Sequence, residues 1–403
     1  MEGSNDSFTE VNKEIEINMD KNRRVKTSVN NNFIDKDVQS VFFPLNLIPN
    51  IILFPKYRIK DNHIRPNSLL TNLVSFIATV VIVIFLYGRV SDLHNHPTIR
   101  SSSATAYGTA FIGFIINSIG FIINYFLNLK HSKCNIMFIV KFQQIHRVLN
   151  NKTIFKYFIV RNWILIMLIL VFYFCYAISI STLLQYPIYK SFYGFISIYC
   201  DANIIYAIRL LMLLTHKIDL WKVEVQNLQQ KENGSHKDCC TKMLDAYQNI
   251  LHCYVLYKSS FQFMILFHTV EFFSRTLIKL QVLLELMKYY SLGVSRFDRS
   301  PWVLTGSFNF WVFKSLILEV ILSLYCEKFY KAMNNVQHLR VINLKSSCTD
   351  AEKRMWKNVR RLHQATFNKI AAYGMFNIDA SFPLKVIALI SNFYIVELAF
   401  AIL

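Results

Sequence analysis

The sequence predicts an all-α membrane protein with seven transmembrane helices, its N-terminus cytosolic and its C-terminus extracellular. Seven apolar segments, at 69–88, 105–127, 163–183, 192–215, 263–287, 302–325 and 379–403, each approach the ~20 residues a helix needs to cross a bilayer. The first three contain no Asp, Glu, Lys or Arg. Of the 44 Lys and Arg residues, 33 precede the first segment or lie in every second loop after it, and six lie in the three loops between. Basic loops stay on the cytosolic side, which sets the orientation.

Taken in order, residues 1–40 are polar, low in aromatics and mixed in charge, the composition of a disordered cytosolic arm. No signal peptide is visible there, so the first span is expected to serve as the targeting signal. The stretch from Val41 to Phe54 is apolar but short and broken by Pro44 and Pro49. It is expected to lie in the inner interface or to pack under the helices. The loop 128–162 carries seven Lys and Arg and no acid, which makes it the sharpest witness to orientation. Segments four to seven contain Asp201, Arg209, Glu271, Arg275, Lys279, Lys314, Glu319, Lys385 and Glu397 among their charges, and so should face protein or water more than lipid. The fifth also suits a long helix emerging into the cytosol. In the third inner loop, 326–378, Thr349-Asp350-Ala351-Glu352 reads as a capping box that opens a helix with Lys353, Lys357, Arg360 and Arg361 on its basic face.

The formal net charge of +19 raises nucleic acid as a partner, but the basic residues are scattered as flanks of apolar segments and form no reading motif. Topology and attraction to anionic inner-leaflet lipid explain them, so membrane lipid is the expected partner and nucleic acid is not. No Cys falls in an expected outer loop, which leaves no external disulfide framework. Cys239 and Cys240 near His236 lack the spacing of a metal site, and His94 and His96 fit a solvated turn. The sequons at Asn5, Asn151 and Asn233 all fall inside and are expected to stay unmodified. No polytopic-enzyme motif joins nucleophile, base and orienter, so neither enzymatic activity nor a cofactor is expected.

Gly108, Gly113 and Gly120 make the second span flexible or closely packed, with no echo in later spans to suggest a transporter repeat. A G-protein-coupled receptor would place its N-terminus outside and carry Asp-Arg-Tyr after the third span, and this chain does neither.

Seven spans with the inverted orientation, a long basic third inner loop and the segment from Ala371 to Leu384, containing Gly374, Phe376, Ile378 and Asp379, together resemble the insect gustatory receptors. Those receptors approach their final helix through Gly-x-Phe-x-Ile/Val-Asp. Their signature in that helix is Thr-Tyr, five apolar residues, then Gln-Phe or Glu-Phe. Here the matching positions are Asn392-Phe393, Tyr394 to Leu398 and Ala399-Phe400, so only Phe400 matches outright. Ala399 removes the polar side chain usual at that position, which argues against the sugar branch and for a divergent bitter or unassigned type.

The resemblance implies a chemosensory receptor in the plasma membrane that acts as a ligand-gated non-selective cation channel. It implies a homo- or hetero-tetramer with other receptor subunits, a small-molecule tastant as ligand and cations as the permeant species. A polytopic transporter and a receptor signalling through a partner are the alternatives. The final helix, 379–403, would line the pore, residues 41–325 would hold the ligand region, and 326–378 would form the cytosolic anchor.

At ~100° per residue, Phe393, Val396, Glu397 and Phe400 share one face of the last helix. Glu397 is the candidate for concentrating cations at the outer mouth, against a salt bridge or a snorkelling carboxylate. Phe393 and Phe400 are candidates for a hydrophobic constriction, against lipid or subunit packing. Phe172, Tyr173, Phe174, Tyr176, Phe192, Tyr193 and Tyr199 are the candidate walls of an apolar ligand pocket, against interfacial belt or core. Asp201 is the polar candidate there, with structural pairing the favoured alternative. Glu271 and Arg275 stand at i, i+4 and are expected to pair directly.

Overall fold

Backbone amides in hydrocarbon have no water to bond, so a chain with this many long apolar runs closes its hydrogen bonds within helices. The computed structural model describes residues 32–95, 104–184, 198–228, 236–291, 301–345 and 349–402. They form nine helices and one small hairpin. Helix α1 is Lys36–Ile51; strands β1, Arg58–Lys60, and β2, His63–Arg65, follow as an antiparallel pair with Ile59 opposite Ile64. Then come α2 (Leu69–Asn95), α3 (Ala104–Val148), α4 (Lys152–Leu184), α5 (Ile198–Leu228), α6 (His236–Ser291), α7 (Pro301–Lys345), α8 (Asp350–Thr366) and α9 (Phe382–Ile402). Seven of these, α2 to α7 and α9, are long and apolar enough to cross a membrane.

Several helices outrun the spans expected from hydropathy. Helix α6 has 56 residues, so at 1.5 Å per residue it is about 84 Å long. A bilayer core is only about 30 Å thick, so more than half of α6 extends beyond it. The basic stretches 128–148 and 326–345 are likewise continuous helix rather than loop, as the C-terminal parts of α3 and α7. Hydropathy registers where a helix leaves lipid and not where it ends. The fourth span begins at Ile198 among the described residues and runs on to Leu228, against an expected 192–215.

Helix α5 is the axis of the bundle. Its most apolar window is 94% buried, compared with 17% for those of α2 and α9, which therefore lie at the periphery of the single chain. The largest cluster of buried side chains joins α5 to the long extensions of α6 and α7 and to α8, around Trp221, Tyr247, Tyr254, Phe329, Tyr330 and Trp356. The expected capping box of α8 is present. Thr349 Oγ1 accepts from Glu352 N at 3.4 Å, and Thr349 N donates to Glu352 Oε2 at 2.9 Å.

Helix α1 packs under the spans, one of the two positions expected for this stretch. It begins at Lys36, however, so 36–40 are helical and not part of a disordered arm, and 1–31 lie outside the described residues. Its buried face, with Val38, Phe42 and Leu45, covers α4 and α5. Asn162 of α4 ties the layers together, donating to Val41 O at 2.9 Å and accepting from the buried Arg209 Nε of α5 at 2.6 Å. Behind α1, Lys56 Nζ donates to Asn203 of α5 at 2.6 Å, and burial pushes its pKa down to about 8.

Candidate functional site

Charged residues placed every three or four positions along a span fall on one stripe, and lipid drives that stripe inward. On α6 the stripe is His268, Glu271, Arg275 and Lys279; on α7 it is Trp311, Lys314 and Ser315. Together with Cys200 and Asp201 of α5 they line one chamber.

Its charges are arranged as compensated groups. Asp201 Oδ2 accepts from Tyr173 of α4 at 2.6 Å and from Lys314 Nζ at 2.5 Å, and Lys314 also lies 3.7 Å from the centre of the Trp311 ring. Glu271 and Arg275 pair at 2.7 Å, as expected from their spacing. Cys200 donates its thiol proton to Glu271 Oε2 at 3.0 Å, and Arg275 donates to Asn117 of α3. One turn deeper, His268 Nδ1 meets Glu319 Oε1 at 2.8 Å, with Thr269 donating to the same oxygen at 3.1 Å. An isolated charge in hydrocarbon is expensive and a paired one much less so, which is why these groups occur as acid and base partners. The chamber keeps spare hydrogen-bonding capacity, since Arg275 Nε and Glu319 Oε2 are buried without a partner among the described residues.

The expected wall residues divide. Tyr173 and Tyr176 both pack on Trp311, with ring centres 5.8 and 5.4 Å away, and Phe172 stacks on Phe310 at 5.2 Å. Of the expected ligand residues only Asp201 lines the chamber itself; Tyr173 and Tyr176 stand behind its Trp311 wall, and Phe172 packs beyond it. Tyr199 does not line it; its ring packs toward α3, 4.1 Å from that of Phe121 between centres, and its hydroxyl bonds the lining residue Cys200 from behind. Phe174 is exposed, and Phe192 and Tyr193 lie outside the described residues. His268 and Trp311 escaped sequence reasoning. An intramembrane His three residues before Glu271 of the same stripe is the signal that marks the first; Trp311 has none beyond its place one turn before Lys314.

The last helix is seated by a tight turn. Gly374 has φ +77°, where a side chain is strained, and the backbone closes through Ala372 N to Phe376 O at 2.9 Å and Ile378 N to Ile370 O at 3.0 Å. Tyr330 of α7 clamps both arms, its hydroxyl accepting from Ile370 N and donating to Ile378 O, each at 3.0 Å. Phe376 stacks on Phe382 at the head of α9, 4.7 Å between centres. Ser381 donates to Asp379 at 2.6 Å and holds that carboxyl below its usual range. The Gly374, Phe376, Ile378 and Asp379 pattern is thus the turn that starts α9.

Of the residues expected to share a pore face, Phe393 meets Phe273 of α6 edge-on at 5.6 Å, while Val396 and Ala399 are exposed. Glu397 is half-buried and its Oε2 has no partner among the described residues. The side chain of Phe400 lies outside the described residues. Phe393 therefore has an intrachain contact of the packing type, beside a largely uncovered helix. Among the described residues no group of three His, Cys, Asp or Glu side chains is gathered as a metal site requires. Neither protein-family models nor the curated proteins give a match to this chain.

Proposed function

We propose that the protein is a chemosensory receptor of the gustatory type, acting as a ligand-gated non-selective cation channel of the plasma membrane. The observation that carries this reading is mechanical. Helices α6 and α7 wall the charged chamber and also hold the last helix, through Phe273, Gln262 and Tyr330. The chamber has only about 20 Å³ of room, space for one water, so a small molecule that replaces one of the bonds around Asp201 or Glu271 must move α6 against α7 to enter, and that shift reaches the turn at 370–378. Differential affinity for the two arrangements then becomes the gating energy.

The exposed apolar face of α9, with Leu389, Ile395 and Val396, supports assembly around this helix, and a tetramer would place four copies of it about a central pore. Glu397 stands near its outer end. Cells expressing the chain, screened with tastants for calcium influx and then by reconstitution in planar bilayers, test the proposal. An agonist-evoked cation current is expected. Intramembrane ion pairs also line transport pathways, so saturable substrate flux without current assigns the chain to the transporters, and ligand binding with neither assigns it to receptors that signal through a partner.

A further inference from the structure

At the α1 end of the bundle, two cavities outside the charged chamber run into one another. The first, about 380 Å³, is the more polar of the two, and its lining includes Gln39, Asn46, Asn50, Asn67 and Thr71 together with Arg58 of the hairpin. The second, about 430 Å³, is apolar and is walled by Ile51 and Ile52 of the α1 end, Val74, Ile77 and Val81 of α2, and Phe121 of α3. Leu53 and Val74 line both.

Leu53 has φ +63°, a conformation that a bulky residue adopts only when its surroundings impose it. Here they do. Leu53 N donates to Asn50 O at 3.1 Å, Phe54 N donates to Pro49 O at 2.7 Å, and Ser75 of α2 donates to Leu53 O at 2.6 Å. The strained residue is tied to α2 through Ser75 and stands at the seam where the two cavities meet.

We infer that this seam is a binding site for one anionic phospholipid of the leaflet at the α1 end, with its headgroup beside Arg58 and one acyl chain along α2. The apolar part covers positions 74–82, about 12 Å of helix, which matches a good part of an acyl chain. Helix α2 is the least covered of the early spans and turns Leu70, Leu73, Ile77 and Val81 outward, so lipid already bathes this surface. The polar part has what an annular site lacks. It is roofed by α1 and the hairpin, neither of which crosses the membrane. The hairpin carries Arg58, Lys60 and Arg65 against the single acid Asp61, and Arg58 has no ion pair to a described residue. Asn67 donates to Pro55 O at 2.6 Å while its Oδ1 is buried without a partner among the described residues, which suits a headgroup with a donor as well as a negative charge. The inner wall of the site, Phe121, packs on Tyr199, so occupancy bears on α5 beside Cys200 and Asp201.

The test uses full-length protein in phosphatidylcholine nanodiscs that contain a minor fraction of phosphatidylserine, or of phosphatidylcholine, with a diazirine on the acyl chain. Adducts are mapped by peptide mass spectrometry. Labelling concentrated at 51–53 and 74–82, several-fold stronger from the serine lipid, is expected. Ala78→Phe, which fills the apolar part, should lower it several-fold. Arg58→Gln, on an exposed position that does not touch the core, should remove the preference for the serine lipid and keeps the test valid if Ala78→Phe misfolds. Labelling spread evenly onto the exposed face of α4 at Met167 and Leu168, or equal labelling from both lipids, overturns the assignment. The outcome is independent of whether the chain conducts.

Discussion

The hydroxyl of Tyr199 lies against Gly120, so that a β-carbon at position 120 would stand 1.9 Å from the tyrosine oxygen and 2.9 Å from Cζ of Phe267. The α3 backbone approaches α5 and α6 at this point as closely as a side-chain-free residue permits. We predict that Gly120→Ala destabilises the protein by about 1–3 kcal/mol, the usual effect of overpacking. Gly113→Ala, with nothing within 4 Å of the added carbon, should be close to neutral. Tyr199→Phe placed on Gly120→Ala should recover part of the loss, leaving the Phe267 contact. Thermal unfolding of the four proteins in one detergent decides it, and equal melting points for Gly113→Ala and Gly120→Ala would remove the close approach from the account.

Asp201 and Lys314 form a buried pair, and removing one member strands the other. Lys314→Met leaves a carboxylate held only by Tyr173, and Asp201→Asn leaves an ammonium on the Trp311 face. Each single change is predicted to cost about 3–5 kcal/mol, whereas the double variant should lose much less than the sum. Additive losses in thermal unfolding would mean that the two groups are not coupled in the folded chain. Agonist response should fall in all three variants, because the chamber changes in each.

The first three spans, the capping box at Thr349 and the inward stripe of charges were legible in the sequence, because each depends on composition or spacing within one helix. Partner choice across helices was not. Asp201 and Arg209 share α5, yet one turns to Lys314, 113 positions away, and the other to Asn162. Local periodicity carries no information about which neighbour a buried group meets. Helix α1 was legible as a short apolar segment that does not span, but Asp35, bonded by two contacts of 2.9 Å to Arg147, shows that the order begins before the apolar run does.

The hydroxyl of Tyr330 satisfies two backbone groups on opposite arms of the turn before α9. Tyr330→Phe keeps the ring and leaves Ile370 N and Ile378 O without it. A loss of about 1–3 kcal/mol per stranded group is the general scale. The specific expectation is local: faster amide exchange at 370–378 with protection of α5 unchanged, and agonist-evoked current reduced more than agonist binding. Uniformly faster exchange throughout would instead make Tyr330 an ordinary core residue.

His363 of α8 shares a hydrogen bond of 2.8 Å with the Tyr247 hydroxyl, and burial holds its pKa below the ordinary 6.5. A depressed histidine pKa means that the unfolded chain takes up the proton first. Its contribution to stability is therefore complete above pH 6.5 and declines as pH falls from 6.5 toward the folded value, by at most about 1.4 kcal/mol per pH unit. His363→Gln should flatten the stability profile over that interval while leaving the profile at higher pH parallel to that of the parent. Melting curves at a series of pH values check this, and an unchanged acid limb would place the titration elsewhere.

Glu397 is the most exposed commitment of the channel proposal. It sits in the last two turns of α9, half-buried, with Oε2 unpartnered inside one chain, so a neighbouring copy is the natural source of what completes it. Two outcomes follow from two geometries. If four copies of α9 surround a pore, the carboxylates ring its outer mouth and raise the local cation concentration. Glu397→Gln then lowers cation preference, which is read as a shift of reversal potential toward the value for an unselective pore under a salt gradient, with agonist affinity unchanged. If Glu397 instead meets a basic group of another helix or subunit, the same substitution removes one member of a pair, and assembly or melting temperature falls while the reversal potential of the remaining current stays put. Measuring reversal potential and oligomer stability on the same preparation separates the two, and an unchanged reversal potential takes Glu397 out of the conduction path.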